Sequence, residues 1–154
     1  MMMNIKVLFF LLVAIVMVKP TYAQSNEELK QFNDAVSKKS KYKVVYQLNT
    51  DNAQVIESTL NNIGNSLADV TLKDKLKVEL VVHGGGSVLF MKDHPYEKQL
   101  LALKEKGVIM VQCLNSMKKR KLTKEQMFPF IFYVESGNAE LIIRQQQGWA
   151  YIHP

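Results

Sequence analysis

The sequence predicts an α/β domain with helices on both faces of a parallel sheet of five strands. Two observations carry the prediction. Strand-like segments rich in β-branched and aromatic residues alternate with segments of helical periodicity from residue 42 to the chain end. That order favours a parallel sheet whose crossovers are right-handed. In addition, VIMV (108–111) carries no polar residue on either face, as expected of a parallel strand covered on both sides.

Two segments precede the domain. Residues 1–23 have a lysine-containing start, the unbroken apolar run VLFFLLVAIVMV (7–18), then Lys19, Pro20 and the exit Thr21-Tyr22-Ala23. This is the pattern of a secretory signal peptide cleaved after Ala23. A membrane span needs about 20 apolar residues, so no stable membrane insertion is expected after cleavage. Residues 24–41 are polar and charged and read as a leader with one short helix over 26–37.

YKVVYQL (42–48) is the first strand. Asp51, with Gln54 three residues on, resembles a capping box. Ile56, Leu60, Ile63, Leu67 and Val70 then follow at the spacing of one helix face. KLKVELVV (75–82) alternates, turns wholly apolar, and reads as the second strand, ended by His83-Gly84-Gly85-Gly86. Pro95 suits the first turn of a helix running to about Lys106, with His94 as its cap and Gly107 as its breaker. VIMV is the third strand, and 116–121 and 123–127 suggest short helical turns. FPFIFYV (128–134) is the fourth strand, entered at Pro129, where a missing N–H does least harm. Ser136 caps a last helix through Gln147, with Ala139, Leu141, Ile142 and Ile143 as its apolar side. GWAYIHP (148–154) is the fifth strand, and its Trp149, Tyr151 and Ile152 either complete the core or meet a neighbouring subunit.

Removing residues 1–23 takes away Lys6 and Lys19 but no acid, leaving 131 residues with 18 basic and 14 acidic side chains, a net charge of +4. That excess is too mild to predict nucleic-acid binding. The basic run 118–121 also lacks the interleaved aromatics that stack on bases. A domain of this length buries a sizeable core. With one cysteine it forms no disulfide within the chain, although small exported proteins often rely on them. The thiol, Cys113, is therefore inert, paired between chains, or reactive.

Parallel sheets of this class bind ligands at the carboxyl ends of their strands. Three stretches fall there: His83 with its glycines, Cys113-Leu114-Asn115-Ser116, and Glu135-Ser136-Gly137. GGGSVL matches neither common nucleotide pattern, so the glycines read as a turn needing positive φ or a close backbone approach. His83, His94, His153 and Cys113 lack the short spacings of a structural zinc site, and neither metal nor cofactor is expected. If Asn115 or Ser116 caps the following helix, the sulfur faces N–H groups at the positive end of a helix dipole. The four cations at 118–121 favour a thiolate as well. The alternative is that Cys113 continues the apolar run and is buried and inert.

VVHGGG (81–86), KGVIMVQCLNS (106–116) with Leu122-Thr123, and SGNAELIIRQQQGWAYIHP (136–154) together resemble the DsrE/DsrF-like family of sulfur-relay proteins. With residues 42–48 the resemblance covers the whole chain after the leader. It implies a three-layer α/β/α domain, with strands in the order 4-3-2-1-5, that assembles into homotrimers or hexamers. It also implies that Cys113 is the catalytic nucleophile, because it stands after the third strand, where the relay branch carries sulfur as a persulfide. On that reading His83, Gly84, Gly85, Asn115 and Ser116 bind substrate, with Asn115 and Ser116 supplying backbone donors and His83 assisting proton movement. The partners would be a sulfur donor or acceptor, either a protein or a small sulfur compound. The relay branch works inside the cell, whereas the expected signal peptide of this chain implies export, with the family's distribution implying the periplasm. The rival reading is a non-catalytic oligomeric module that binds a small ligand or partner and keeps Cys113 as a structural residue.

Overall fold

The computed structural model describes Asn33 and residues 35–154. The expected signal peptide lies outside the described residues, as does most of the leader with its expected helix; residues 35–39 carry no regular structure.

β1 (Tyr42–Leu48) is followed by α1 (Ala53–Ala68), β2 (Leu76–Val82), a 3₁₀ stretch (Gly84–Phe90) and α2 (Glu97–Glu105). Then come β3 (Ile109–Cys113), α3 (Leu114–Arg120), a short 3₁₀ turn (Lys124–Gln126), β4 (Phe132–Val134), α4 (Gly137–Gln146) and β5 (Ala150–Ile152). All five strands pair in parallel, in the order β4-β3-β2-β1-β5. This is the predicted fold class and strand order. Among the described residues no helix is long and apolar enough to cross a membrane.

Strand periodicity sorts the side chains into two cores. Val44, Tyr46 and Leu48 of β1, with Val78, Leu80 and Val82 of β2, face one side. There they meet Ile56, Leu60 and Ile63 of α1, Leu100 and Leu103 of α2, and Met117 of α3. Burying each such Leu, Ile or Val contributes roughly 1.5–3 kcal/mol, so this layer carries most of the stability. The opposite side is thinner: Val45, Val81 and Val111 pack against Leu141 of α4 and against Trp149.

Several local expectations change in three dimensions. Asn52, not Asp51, caps α1, its side chain accepting from the N–H groups of Gln54 and Val55. The helix stops at Ala68, and Val70 lies exposed in the turn beyond it. His94 does not cap α2; Tyr96 holds that position, and the His94 ring stacks on the Tyr96 ring at 6.4 Å. The apolar run 128–134 is a strand only at its last three residues. Phe128 instead pairs its N–H with Phe90 O (2.9 Å) and packs beneath the 3₁₀ stretch. On α4 only Leu141 of the four expected apolar residues is buried, while Ile142 and Ile143 face outward.

The thin side of the sheet contains one buried carboxylate. Glu79 on β2 is 0 % exposed, and Arg144 on α4 reaches it at 2.7 Å (Nη2 to Oε2). Arg144 Nε also meets Glu140 at 2.8 Å, and its guanidinium lies 4.8 Å over the Trp149 ring. Arg144 therefore fastens α4 to β2 by charge and to Trp149 by stacking.

Burial raises the Glu79 pKa, the Arg144 cation opposes that rise, and Glu140 adds to it. The folded state thus holds this proton more tightly than the unfolded state, and the contribution of Glu79 to stability declines as pH climbs through the unfolded and then the folded pKa. Replacing Arg144 by Met removes the opposing cation. The variant should be less stable by about 3 kcal/mol near neutral pH. Its loss should be smaller near about pH 4, where Glu79 is mostly protonated in both states. Urea denaturation at the two pH values measures this; equal losses at both would show that the ion pair does not hold α4.

Candidate functional site

The carboxyl ends of β2, β3 and β4 meet the first turns of α3 and α4 around a hollow of about 220 Å³. Its wall is formed by His83, Cys113, Asn115, Ser116, Lys119, Ser136, Gly137 and Asn138. A larger hollow of about 470 Å³ opens at the other end of the sheet among Leu67, Ala68, Lys73, Asp74, Leu76 and Lys106. It has no cysteine or histidine on its wall, whereas the smaller one has both and lies at the carboxyl ends of the strands, so chemistry is assigned to the smaller one.

Register brings His83 and Cys113 together. Val81 pairs with Val111 across β2 and β3. His83 and Cys113 each lie two residues further along, so both project from the same face at the same level. Gly137, the first residue of α4, lies directly over them. A Cβ built there would sit 3.3 Å from the Cβ atoms of both Cys113 and His83, and 3.4 Å from Val81 Cγ1. Even an alanine there would make these neighbours give by a few tenths of an ångström.

Cys113 is itself the N-cap residue of α3 (φ −75°, ψ 118°), a position expected for Asn115 or Ser116. Its side chain makes no capping hydrogen bond to the helix. The side chain is only 5 % exposed, as the inert reading requires, but polar groups surround it. Its S–H faces the Glu135 carbonyl at 3.8 Å. Burial pushes the thiol pKa up. The Ser116 hydroxyl and the backbone N–H groups of Gly137, Ser116 and Asn115 together outweigh that push and hold Cys113 below the ordinary thiol value. Ser116 is suited to this work because its oxygen already accepts the Gly84 N–H at 2.9 Å, which leaves its proton to turn toward sulfur. The Asn115 N–H is shared with Glu135 O at 3.1 Å.

The triple glycine does something different. Gly84 adopts φ +53°, and Cβ atoms on Gly85 and Gly86 would approach Asp51 N to 3.0 Å and Leu48 O to 2.6 Å. These residues bring the chain against the end of β1, and Gly84 and Gly85 lie beside the hollow instead of on its wall. Their link to the site is indirect, through the bond from Gly84 to Ser116.

His83 is half-buried, and its Nε2 lies 2.8 Å from Gln47 Nε2. Burial, reinforced by His153, lowers its pKa, so the ring is neutral at physiological pH. Lys119 is the single cation on the wall. Lys118, Arg120 and Lys121 are exposed and not part of it. Among the described residues no group of three or more His, Cys, Asp or Glu could hold a metal ion.

Gly137, Asn138, Lys119 and Gln47 were not singled out individually by sequence reasoning. The Ser136-Gly137 pair after β4 was the available signal, since a cap followed by Gly marks a helix start that can lie close against other backbone. Gln47 gives no signal at all within an ordinary strand pattern.

A model of the DsrE/DsrF-like family matches residues 12–154. Among solved structures, a protein of unknown function from Methanobacterium thermoautotrophicum is similar to this chain, with 25% sequence identity and a TM-score of 0.70. The match covers 74% of this chain and 100% of that one. No curated protein matches.

The geometry around Cys113 predicts that its rate of alkylation, followed against pH, has a midpoint below the free-cysteine value of about 8.5. Ser116→Ala should raise that midpoint, because it removes the hydroxyl while the buried position remains. A midpoint at or above the free value in the wild type would mean that desolvation, not hydrogen bonding, governs the sulfur.

Proposed function

As the chain belongs to the DsrE/DsrF-like family, we propose that it is a thiol-based sulfur carrier in which Cys113 takes up sulfane sulfur as a persulfide and passes it on. The observation that carries this reading is the placement of the one thiol at the start of α3 and beneath the first residue of α4, on the wall of a hollow it shares with His83, Ser116 and Lys119; the polar groups there lower its pKa. A structural cysteine needs no such donors, whereas an anionic sulfur does.

The uptake step is a displacement. The Cys113 thiolate attacks the outer sulfur of a donor persulfide, R–S–SH. A sulfur–sulfur bond forms to Cys113, the R–S bond to the outer sulfur breaks, and R–S⁻ leaves and takes up the proton that Cys113 released. Thiol and persulfide are exchanged with no net oxidation, so no redox partner is needed. The cysteine persulfide that results is more acidic than a thiol, and the same donors then hold its anion. Lys119 on the wall adds a positive charge, which favours an anionic donor. A hollow of about 220 Å³ admits a small sulfur compound or the end of a side chain, not a large cofactor.

Two further elements belong to the proposal. The chain is exported to the periplasm, on the strength of the signal-like residues 1–23, and it assembles with itself. Phe132 is 63 % exposed, Ile142 60 % and Ile143 50 %, which supports assembly through the thin side of the sheet.

One observation favours a rival. Cys113 is nearly covered, which suits a non-catalytic oligomeric binding module with a structural thiol. Intact mass after incubation with a persulfide donor separates the two readings. The carrier gains one sulfur atom in the wild type and none in Cys113→Ser; the binding module gains none in either.

A further inference from the structure

We propose that Gln47 and Tyr151 are positioning residues that lock His83 as the neutral Nδ1–H tautomer, so that the histidine beside the sulfur is not its base. The functional half of this inference rests on the sulfur-carrier reading; the structural half does not.

The polar side chains form a line across four neighbouring strands. Tyr151 on β5 pairs with Val45 on β1, two residues before Gln47. Gln47 pairs with Val81 on β2, two residues before His83. Val81 pairs with Val111 on β3, two residues before Cys113. A period of two puts Tyr151, Gln47, His83 and Cys113 on one face.

Direction along the line follows from the chemistry of each group. The Tyr151 hydroxyl donates to Gln47 Oε1. With Oε1 accepting from Tyr151, Gln47 Nε2 faces His83 Nε2, 2.8 Å away. An amide nitrogen carries only protons, so His83 Nε2 must supply a lone pair. A neutral imidazole has one N–H, which then lies on Nδ1. Nδ1 is also the ring nitrogen nearer its own Cβ, the atom that flanks Cys113 beneath Gly137. The lowered His83 pKa agrees with a ring that remains neutral.

The ionisable groups around this ring are few. His153 lies behind it, with its Nε2 3.3 Å from Asn49 Oδ1. Tyr151 stands beyond Gln47, and Cys113 and Lys119 share the wall of the hollow with His83. No carboxylate lines that wall among the described residues. Nothing there stabilises an imidazolium.

His83 therefore cannot take the Cys113 proton: its lone pair is occupied by Gln47 and its other nitrogen is already protonated. A cysteine and histidine side by side suggest a nucleophile and its base. Here the pair works otherwise. The sulfur is made acidic by Ser116 and by backbone N–H groups, and His83 stands beside it without serving as its base.

The test is nitrogen NMR on the full chain with labelled histidine near neutral pH, with His83 assigned by comparison with a His83→Asn variant. The wild type should show Nδ1 protonated and Nε2 bare. Gln47→Glu replaces the donor with an acceptor and should reverse the pattern to Nε2–H. Tyr151→Phe, a milder change, should release the amide and give a mixture of the two forms. Gln47→Leu should release the ring to the Nε2–H form, leave Nδ1 bare to act as a base, and so lower the pH midpoint of Cys113 alkylation. An Nε2–H wild type, a Gln47→Glu spectrum identical to the wild type, or an unmoved alkylation midpoint in Gln47→Leu would overturn the proposal. A wild type with Nδ1–H that never gains sulfur supports the relay and defeats the carrier reading.

Discussion

Gly137 lets the first turn of α4 lie so close to the sheet that a methyl group in its place would stand 3.3 Å from the Cβ atoms of Cys113 and His83. The site depends on that closeness. It brings a helix N–H to the sulfur and closes one side of the hollow. It is maintained from the other end of the same helix, where Arg144 grips the buried Glu79 and lies over Trp149. A ten-residue helix held at both ends has little freedom to lift. The ion pair thus acts at a distance from the chemistry, by keeping the N-terminus of the helix pressed down. Partial burial makes the pair sensitive to loss of either partner, which is a different matter from making it a large source of stability.

At Cys113 two effects of opposite sign compete. Removing a thiolate from water is unfavourable, and the side chain is almost fully covered. Ser116 and the backbone N–H groups around the sulfur oppose that cost, and its pKa lies below the ordinary thiol value. Burial then assists the chemistry. It shields the sulfur from bulky oxidants and thiols, and it makes each donor more effective by lowering the local polarity. The same depth that suggests an inert cysteine is what makes a few well-placed donors sufficient.

The two faces of the sheet divide the work. Three helices and the 3₁₀ stretch seal one face into a continuous apolar core, which gives the strands a rigid base. The other face holds α4, the Glu79–Arg144 pair and the polar line from Tyr151 to Cys113. Polar side chains can occupy strand positions there because a single helix covers them incompletely. Tyr151, on the edge strand, is 41 % exposed, so the relay runs from the edge of the sheet to its reactive centre.

Most of the architecture could be read from residue patterns. Alternation in 42–48 and 75–82 and the helical spacing of Ile56, Leu60 and Ile63 are local properties of a chain, and the elements they predict form where expected. Cys113 at a strand end was legible for the same reason. Ends of elements were less so: Asn52 replaced Asp51 as a cap, and Phe128 left its strand to pack under Phe90, because neighbours far along the chain decide which backbone groups still need partners. The helix start at Asn115 and Ser116 was legible beside the sulfur; the Gly137 turn over it and the orientation of His83 were not. Gln47 and Tyr151 are separated by 104 residues, and Gly137 reaches Cys113 only once β4 has been laid beside β3. A residue's pattern along the chain reports which face it will occupy; whether that face makes an acid, a donor or a bystander of it is settled by groups that only the folded sheet brings within hydrogen-bonding reach.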